Sequence, residues 1–295
     1  MLPTCAGAGD HDTLIMDKKK KRYKMKTETK TAACLLCDDT GWKPVGEGAE
    51  RRVTRCQCRL RARGSSLLEA AKIPRRYEHC DFDNFQTDFP DLSVSDHEYK
   101  SLHSARFVAG RFVDEHLPGQ GLLFVGGTGT GKTHLAVAVV RKLVLDKEVP
   151  CLFCDFRELM RQIRQSYDPA VQTTELDVLK PVFDIPVLLL DDLGSAAMTE
   201  WQRDTVGYIL NKRYSDEQTT IVTTCLADKP SPVAEAAEPS MARSRTLEEA
   251  RSVMRERTLG ERIGDQMRMR LKEMTKTIEI QARDFRRNKD QNGRS

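Results

Sequence analysis

Gly126, Gly127, Thr128, Gly129, Thr130, Gly131, Lys132 and Thr133 follow one another without a break, with His134 next. The spacing is G-x-x-x-x-G-K-T, the pattern of a phosphate-holding loop. Its glycines let the backbone curl until successive N–H groups converge on an anion with no Cβ in the way. Lys132 brings a point charge to the β- and γ-phosphates, and Thr133 brings a hydroxyl to Mg²⁺. Residues 126–134 are therefore the candidate ATP-binding set. No three glycines are spaced G-x-G-x-x-G, which excludes the dinucleotide fingerprint.

Such a loop needs a partner acid for the metal. In PVLLLDDLG (Pro186–Gly194) an apolar run ends in Asp191 and Asp192. Asp191 is placed to hold Mg²⁺ through water, and Asp192 to orient and deprotonate the attacking water. TTIVTTCLAD (Thr219–Asp228) ends a further apolar run with Thr223, Thr224 and Cys225. A polar group there can reach the γ-phosphate or the water, and all three are available.

These side chains need a scaffold that delivers them to one edge. Strand-type runs fall at 121–126, 151–156, 186–191, 219–225 and 277–282, with helical patterns such as THLAVAVVRKLVLD between them. Alternation of this kind predicts an α/β fold: a five-stranded parallel sheet wound with helices on both faces. The strand at 219–225 is expected between the phosphate-loop strand and the Asp191 strand, the arrangement of P-loop NTPases that couple hydrolysis to motion. About thirteen residues follow the last expected strand, too few for a separate C-terminal lid domain.

A second cluster of chemistry precedes the core. Cys34 and Cys37, then Cys56 and Cys58, bracket a short insert with turn residues Gly41, Pro44, Gly46 and Gly48. Two such knuckles have zinc-ribbon spacing, and four thiolates would close a structural Zn²⁺ site. The tight C-x-C knuckle leaves His79 or Cys80 open as substitute ligands. Cys151 and Cys154 lie inside an apolar strand and read as core. The chain carries nine cysteines, an odd number, and no apolar leader, which points to a reducing cytoplasm rather than a disulfide framework. No run of about 18 apolar residues is present, so no membrane span is expected.

Net charge is +4, but it is unevenly spread. Residues 17–30 are Lys-rich, and Arg51–Arg63 is Arg-rich with no acid, both suited to phosphate backbones. Arg157, Arg161 and Arg164 share one face of an expected helix that runs toward Tyr167. That face is either a single-stranded nucleic-acid contact or a solvated surface. Arg262, Arg268 and Arg270 spread over a later Arg-rich helix, where an arginine can complete a neighbouring copy's site.

In order along the chain, CLLCDDTGW with CQC, IPRRYEHCDFDNF, GGTGTGKTHLA, LLLDDLG with TEWQRDTVGYILNKRY, TTIVTTCL, and RLKEM…DFR resemble the DnaC/IstB-type AAA+ ATPases. Within them the chain is most similar to the zinc-bearing, DnaI-like helicase loaders, over roughly residues 34–287. The resemblance implies hydrolysis of ATP to ADP and phosphate. It also implies a replicative hexameric DNA helicase and single-stranded DNA as partners, and self-association into an ATP-bridged oligomer. Arg270 stands in the position of the family's arginine finger, with Arg268 as rival, and Arg286 in that of the arginine sensing the γ-phosphate. Two departures stand out: Cys225 replaces the family's Asn, which passes the expected sensing role to Thr224, and Met269 replaces the Ser before the finger. An IstB-like transposition helper acting with a transposase on duplex DNA, and a zinc-ribbon adaptor using ATP as a conformational ligand, are the competing readings.

The expected organisation is a disordered basic tail at 1–30, a zinc-binding four-cysteine module at 31–72, an AAA+ core at 73–287 with a mobile loop at 228–246, and a disordered tail at 288–295.

Overall fold

The computed structural model describes residues 34–38, 40–45, 52–87, 95–228 and 258–288. The expectations for residues 1–30, for the loop after Asp228 as far as 246, and for the tail from 289 lie outside them.

The core sheet holds β3 (Gly121–Gly126), β4 (Cys151–Asp155), β5 (Val187–Asp191), β6 (Thr219–Thr224) and β7 (Thr275–Ile280), after the two short strands β1 (Trp42–Val45) and β2 (Arg52–Arg55). Its order is β4-β5-β6-β3-β7, and every neighbouring pair is parallel. The inserted position expected for the 219–225 run is thus occupied by β6, between β3 and β5. The last strand begins two residues earlier than its sequence pattern suggests, because Thr275 pairs with Gly121.

Alternation along the strands builds two apolar layers. Leu122 and Phe124 of β3, Leu189 of β5 and Ile221 of β6 face α2 (Asp96–Asp114) and α3 (Lys132–Lys147). Leu123, Val125, Leu188, Leu190 and Val222 face the other way. There they meet α4 (Phe156–Gln165), α5 (Glu175–Asp184), α6 (Glu200–Ser215), α7 (Leu259–Ile263) and α8 (Asp265–Met274). Capping boxes fix where several helices start: Ser95 with Glu98 for α2, Thr174 with Asp177 for α5, and Thr199 with Gln202 for α6.

Arg213 of α6 is fully buried beneath this second layer. Its guanidinium donates to the carbonyls of Val182 (2.7 Å), Ile185 (3.0 Å) and Thr219 (2.6 Å) and to the Thr220 hydroxyl (3.0 Å). The charge is thereby spread over satisfied dipoles rather than paired with an acid.

The cysteine segment is built differently. β1 and β2 form an antiparallel hairpin with mostly exposed side chains. Pro44, expected in a turn, instead pairs with Val53 inside the ladder, a place Pro tolerates because a two-stranded hairpin consists of edges. After it, α1 (Gln57–Ala70) leads to the core, where the Ala71 carbonyl accepts from Phe153 N–H on the edge strand β4.

Candidate functional site

Parallel strands deliver their C-terminal ends to one edge, and the groups with chemistry emerge there. β3 runs into the loop at Gly126, and the loop opens α3 at Lys132, whose helix N-terminus favours an anion. Gly131 (φ 94°) is left-handed, and a Cβ there would meet the Phe85 ring at 2.7 Å. Gly129 (φ 77°) is left-handed too and lies directly against the Asp284 carboxylate. Lys132 Nζ donates to the Gly127 carbonyl at 2.6 Å, and Thr130 Oγ1 donates to the same oxygen at 3.0 Å. Burial lowers the Lys132 pKa, while Cys225, Asp192 and Asp191 act to raise it.

Thr133 Oγ1 lies 2.9 Å from Asp191 Oδ1, joining the end of β5 to the start of α3. This pair of oxygen donors suits a magnesium ion held through one carboxylate and substrate phosphates. Asp191 is buried, which pushes its carboxyl pKa up against the pull of its hydroxyl partners Thr223 and Thr133. Asp192 has φ +60° and turns outward, its side chain 43% exposed. Thr223 organises both acids: its hydroxyl donates to Asp191 Oδ1 at 2.6 Å and accepts from Asp192 N–H at 2.9 Å. Thr224, expected in the sensing role, is engaged elsewhere: its buried hydroxyl donates to the Leu193 carbonyl at 2.8 Å and accepts from Leu226 N–H at 3.2 Å. His134, grouped with the nucleotide contacts by position, instead puts Nε2 2.9 Å from the Asp81 carbonyl and 2.9 Å from Asn84 Oδ1. It braces the lead-in segment on the loop.

The arginines separate by role. Arg286 lies close enough to the loop to lower the Lys132 pKa by repulsion, and its N–H donates to Asp284 Oδ1 at 3.0 Å. Arg268 is engaged within its own chain by Asp228 at 2.9 Å, whereas Arg270 sits half-exposed on α8 beside the Tyr214–Glu273 pair. Arg262 packs on Gly194, at the turn after Asp192, a contact its sequence position does not reveal.

One surface connects with this site. Arg157, Arg161 and Arg164 of α4 line a cavity of about 310 Å³ with Met160, Ala197 and Trp201. Arg164 stands 5.8 Å over the Trp201 ring, and Tyr167 meets the same ring edge-on at 6.3 Å. Arg157 donates to Ser195 Oγ at 2.7 Å and lies 3.7 Å from the Asp192 carboxylate. Trp201 belongs to the family-like string TEWQRDTVGYILNKRY but carries no sign of this partnership, because the two helices meet only through the fold.

At the far end, Cys34, Cys37, Cys56 and Cys58 have sulfurs within 4.8 Å of one another. Cys34 and Cys56 are 3.7 Å apart, and Cys37 and Cys58 3.3 Å. A tetrahedral zinc with bonds of roughly 2.3 Å needs sulfurs about 3.8 Å apart, so the cluster fits such an ion. His79 and Cys80 are not among these ligands.

The family model described as IstB-like ATP binding protein matches residues 49–230. The YqaM protein of Bacillus subtilis is 27% identical over 177 residues, 57% of this chain and 53% of its own. The replicative helicase loader DnaI of Bacillus subtilis is 34% identical over 103 residues, 35% of this chain and 32% of DnaI. The match thus spans about half the length of the first relative and a third of the second. A crystal structure of the DnaC helicase loader is 30% identical, covering 70% of this chain and 99% of that one, with a TM-score of 0.51. The chain belongs to the IstB-like ATP-binding proteins, the DnaC/IstB type of AAA+ ATPase.

Proposed function

We propose that this protein is an ATP-dependent loader of a replicative hexameric DNA helicase. The observation that carries the reading is Arg157: one side chain lines the Arg/Trp groove of α4 and also faces Asp192. A base stacked on Trp201, with its phosphates on Arg157 and Arg164, is the mode by which single strands bind without sequence preference. A phosphate drawing on Arg157 then changes the setting of the carboxylate that orients the attacking water.

In this reading Gly126–Thr133 hold ATP, Thr133 and Asp191 hold Mg²⁺, Asp192 serves the water and Lys132 the β- and γ-phosphates. Arg286 reads the γ-phosphate, and Arg270 reaches a neighbouring copy's site in an ATP-bridged oligomer. The four cysteines hold Zn²⁺ in a module at 31–72, ahead of the core at 73–287. Leu35, Leu36 and Val53 expose an apolar face of that module, suited to the helicase. The named functions of DnaI and DnaC support the partner. Hydrolysis releases the helicase.

The likeness to IstB keeps a second reading, a transposition helper acting with a transposase on duplex DNA. Size-exclusion light scattering of the zinc-loaded protein with a replicative helicase, plus ATP, separates the two. The loader forms a complex that disappears in Cys34→Ser/Cys37→Ser, and its turnover rises with single-stranded DNA. No complex in any nucleotide state, with turnover answering to duplex alone, identifies the transposition helper. Turnover indifferent to either DNA leaves only an adaptor. In Lys132→Ala, ATP binding and turnover are lost; unchanged affinity overturns the site itself.

A further inference from the structure

β7 and β3 end side by side, with Ile280 paired to Gly126, so the chain after β7 leaves the sheet beside the phosphate loop. What it does next is held by one carboxylate. Glu98 accepts from Arg283 N–H at 3.0 Å, from its Nε–H at 3.1 Å and from its Nη2–H at 2.8 Å. The same carboxylate accepts from the N–H and the hydroxyl of Ser95, both at 3.1 Å, closing the capping box of α2. Ser101, one turn on, accepts from Gln281 N–H at 2.8 Å. Glu98 is well covered, its side chain 16% exposed, and the fork of Arg283 holds its carboxyl well below the usual carboxylate range.

Directly after this clamp come the residues that touch the loop. Asp284 lies against Gly129, Phe285 N–H donates to the Gly129 carbonyl at 3.3 Å and Phe285 packs on the core. Arg286 follows, its N–H and Nε held on Asp284. Only Asp284 and Phe285 thus separate the clamped Arg283 from Arg286, whose charge is felt at Lys132. An exposed arginine with four side-chain torsions costs rotamer entropy to aim. Fixing the backbone just before it at Glu98 and Gly129 removes the backbone share of the ordering cost before ATP arrives, leaving only the side-chain torsions to be set.

We infer that Glu98 and Arg283 are positioning residues for ATP turnover, holding the short arm that presents Arg286 to the γ-phosphate. The inference rests on the reading of Arg286 given above. It also assigns the N-terminus of α2 a task in catalysis, although that helix lies outside the loop and the paired acids.

The test is a mutant cycle in the full-length protein, with steady-state turnover and ADP affinity as readouts. Arg283→Ala lowers kcat by about 10- to 100-fold, the cost of misplacing a group by an ångström or so. ADP, which lacks the γ-phosphate, binds within about twofold of the parent. Arg283→Lys, which keeps the charge but loses the fork, falls between. Exchanging the charges, Glu98→Arg with Arg283→Glu, recovers part of the loss from either change alone. In an Arg286→Ala background, Arg283→Ala costs nothing further, because the group it aims is gone.

A loss of equal size in both backgrounds, or ADP affinity falling in step with kcat, makes the clamp merely structural and overturns the inference. Thermal melts of each variant guard against simple unfolding, and the charge exchange keeps the test open if Arg283→Ala does not fold. If Arg286→Ala itself leaves kcat unchanged, the γ-phosphate reading of Arg286 fails and the inference goes with it. If Arg286→Ala slows turnover while Arg283→Ala does not, only the positioning role fails.

Discussion

The cysteine hairpin and the nucleotide edge of the sheet both gather groups fit for a divalent cation, yet they stand in opposite relation to the fold around them. The hairpin has four sulfurs and almost nothing else: Trp42, Val45 and Val53 are all exposed. Two short strands of this kind are marginal in water. Asp191, by contrast, ends a strand buried along its whole length, between two apolar layers that need no ligand to form. In the zinc module proposed above, the ligand residues hold the structure. At the nucleotide edge the structure holds the ligand residue in a place it would not choose.

The largest effect expected from this contrast is on the hairpin. Removing zinc with a chelator, or making Cys34→Ser with Cys37→Ser, withdraws a binding free energy of roughly 10–16 kcal/mol. Amides of β1 and β2 then exchange at rates near those of an open chain, while amides of β3, β5 and β6 keep their protection and the core melts as before. Hydrogen exchange followed by mass spectrometry reads both regions in one experiment. If core protection drops together with that of the hairpin, the two are one cooperative unit and the contrast is wrong.

The opposite sign is expected for Asp191→Asn. Burial raises the Asp191 carboxyl pKa above its unfolded value. Such a group binds more protons when folded, so its contribution to stability falls as pH rises from the unfolded to the folded value, and a penalty remains above that window. Asparagine removes the charge and keeps an oxygen for the Thr133 and Thr223 hydroxyls. The nucleotide-free variant should melt about 2–4 °C higher at neutral pH, a gain of roughly 1 kcal/mol in a domain of this size. The gain should shrink as pH falls through that window and vanish below about pH 3, where both states of the parent are protonated. Mg²⁺-dependent turnover is lost at the same time. A lower melting temperature would mean that the core depends on its charged ligand, as the hairpin does on its sulfurs.

The same contrast explains what the sequence made legible. The loop, the paired acids and the four cysteines are local strings whose chemistry follows from spacing, and the structure gathers each string. That the sheet is parallel was legible because the strand runs alternate with helices; the place of β6 between β3 and β5 was expected from the arrangement of P-loop NTPases and not from any local pattern. The choice between Thr223 and Thr224 was not legible. Neighbouring residues of a strand face opposite ways, and TTIVTT is buried throughout, so no exposed residue marks its phase. The links from Arg157 to Asp192 and from Glu98 to Arg283 join residues 35 and 185 positions apart. No local pattern records them, because only the assembled fold brings their elements together. Pro44 shows the converse limit: a residue that marks turns in most contexts sits in a ladder consisting only of edges.

The smallest effect concerns the seam between the two regions. Glu148, at the C-terminal end of α3, receives Arg55 of β2 at 3.4 Å and Arg63 of α1 at 3.2 Å. The Arg55 and Arg63 side chains are 52% and 53% exposed, so solvent and salt screen both pairs. Glu148→Gln removes the charge without disturbing the left-handed backbone at that position (φ 52°), and each exposed pair is worth about 0.2–1 kcal/mol. The zinc-loaded variant should keep its metal, and its core should melt within about 2 °C of the parent. Hairpin amides should lose protection by only a few-fold, a loss that high salt reproduces in the parent. A larger response, such as metal loss or a fall in core melting, would make Glu148 the strut that lends the hairpin the stability of the core. If the response stays small, the hairpin is an autonomous zinc-held unit, attached to the ATPase mainly through the α1 backbone and free to follow whatever docks on it.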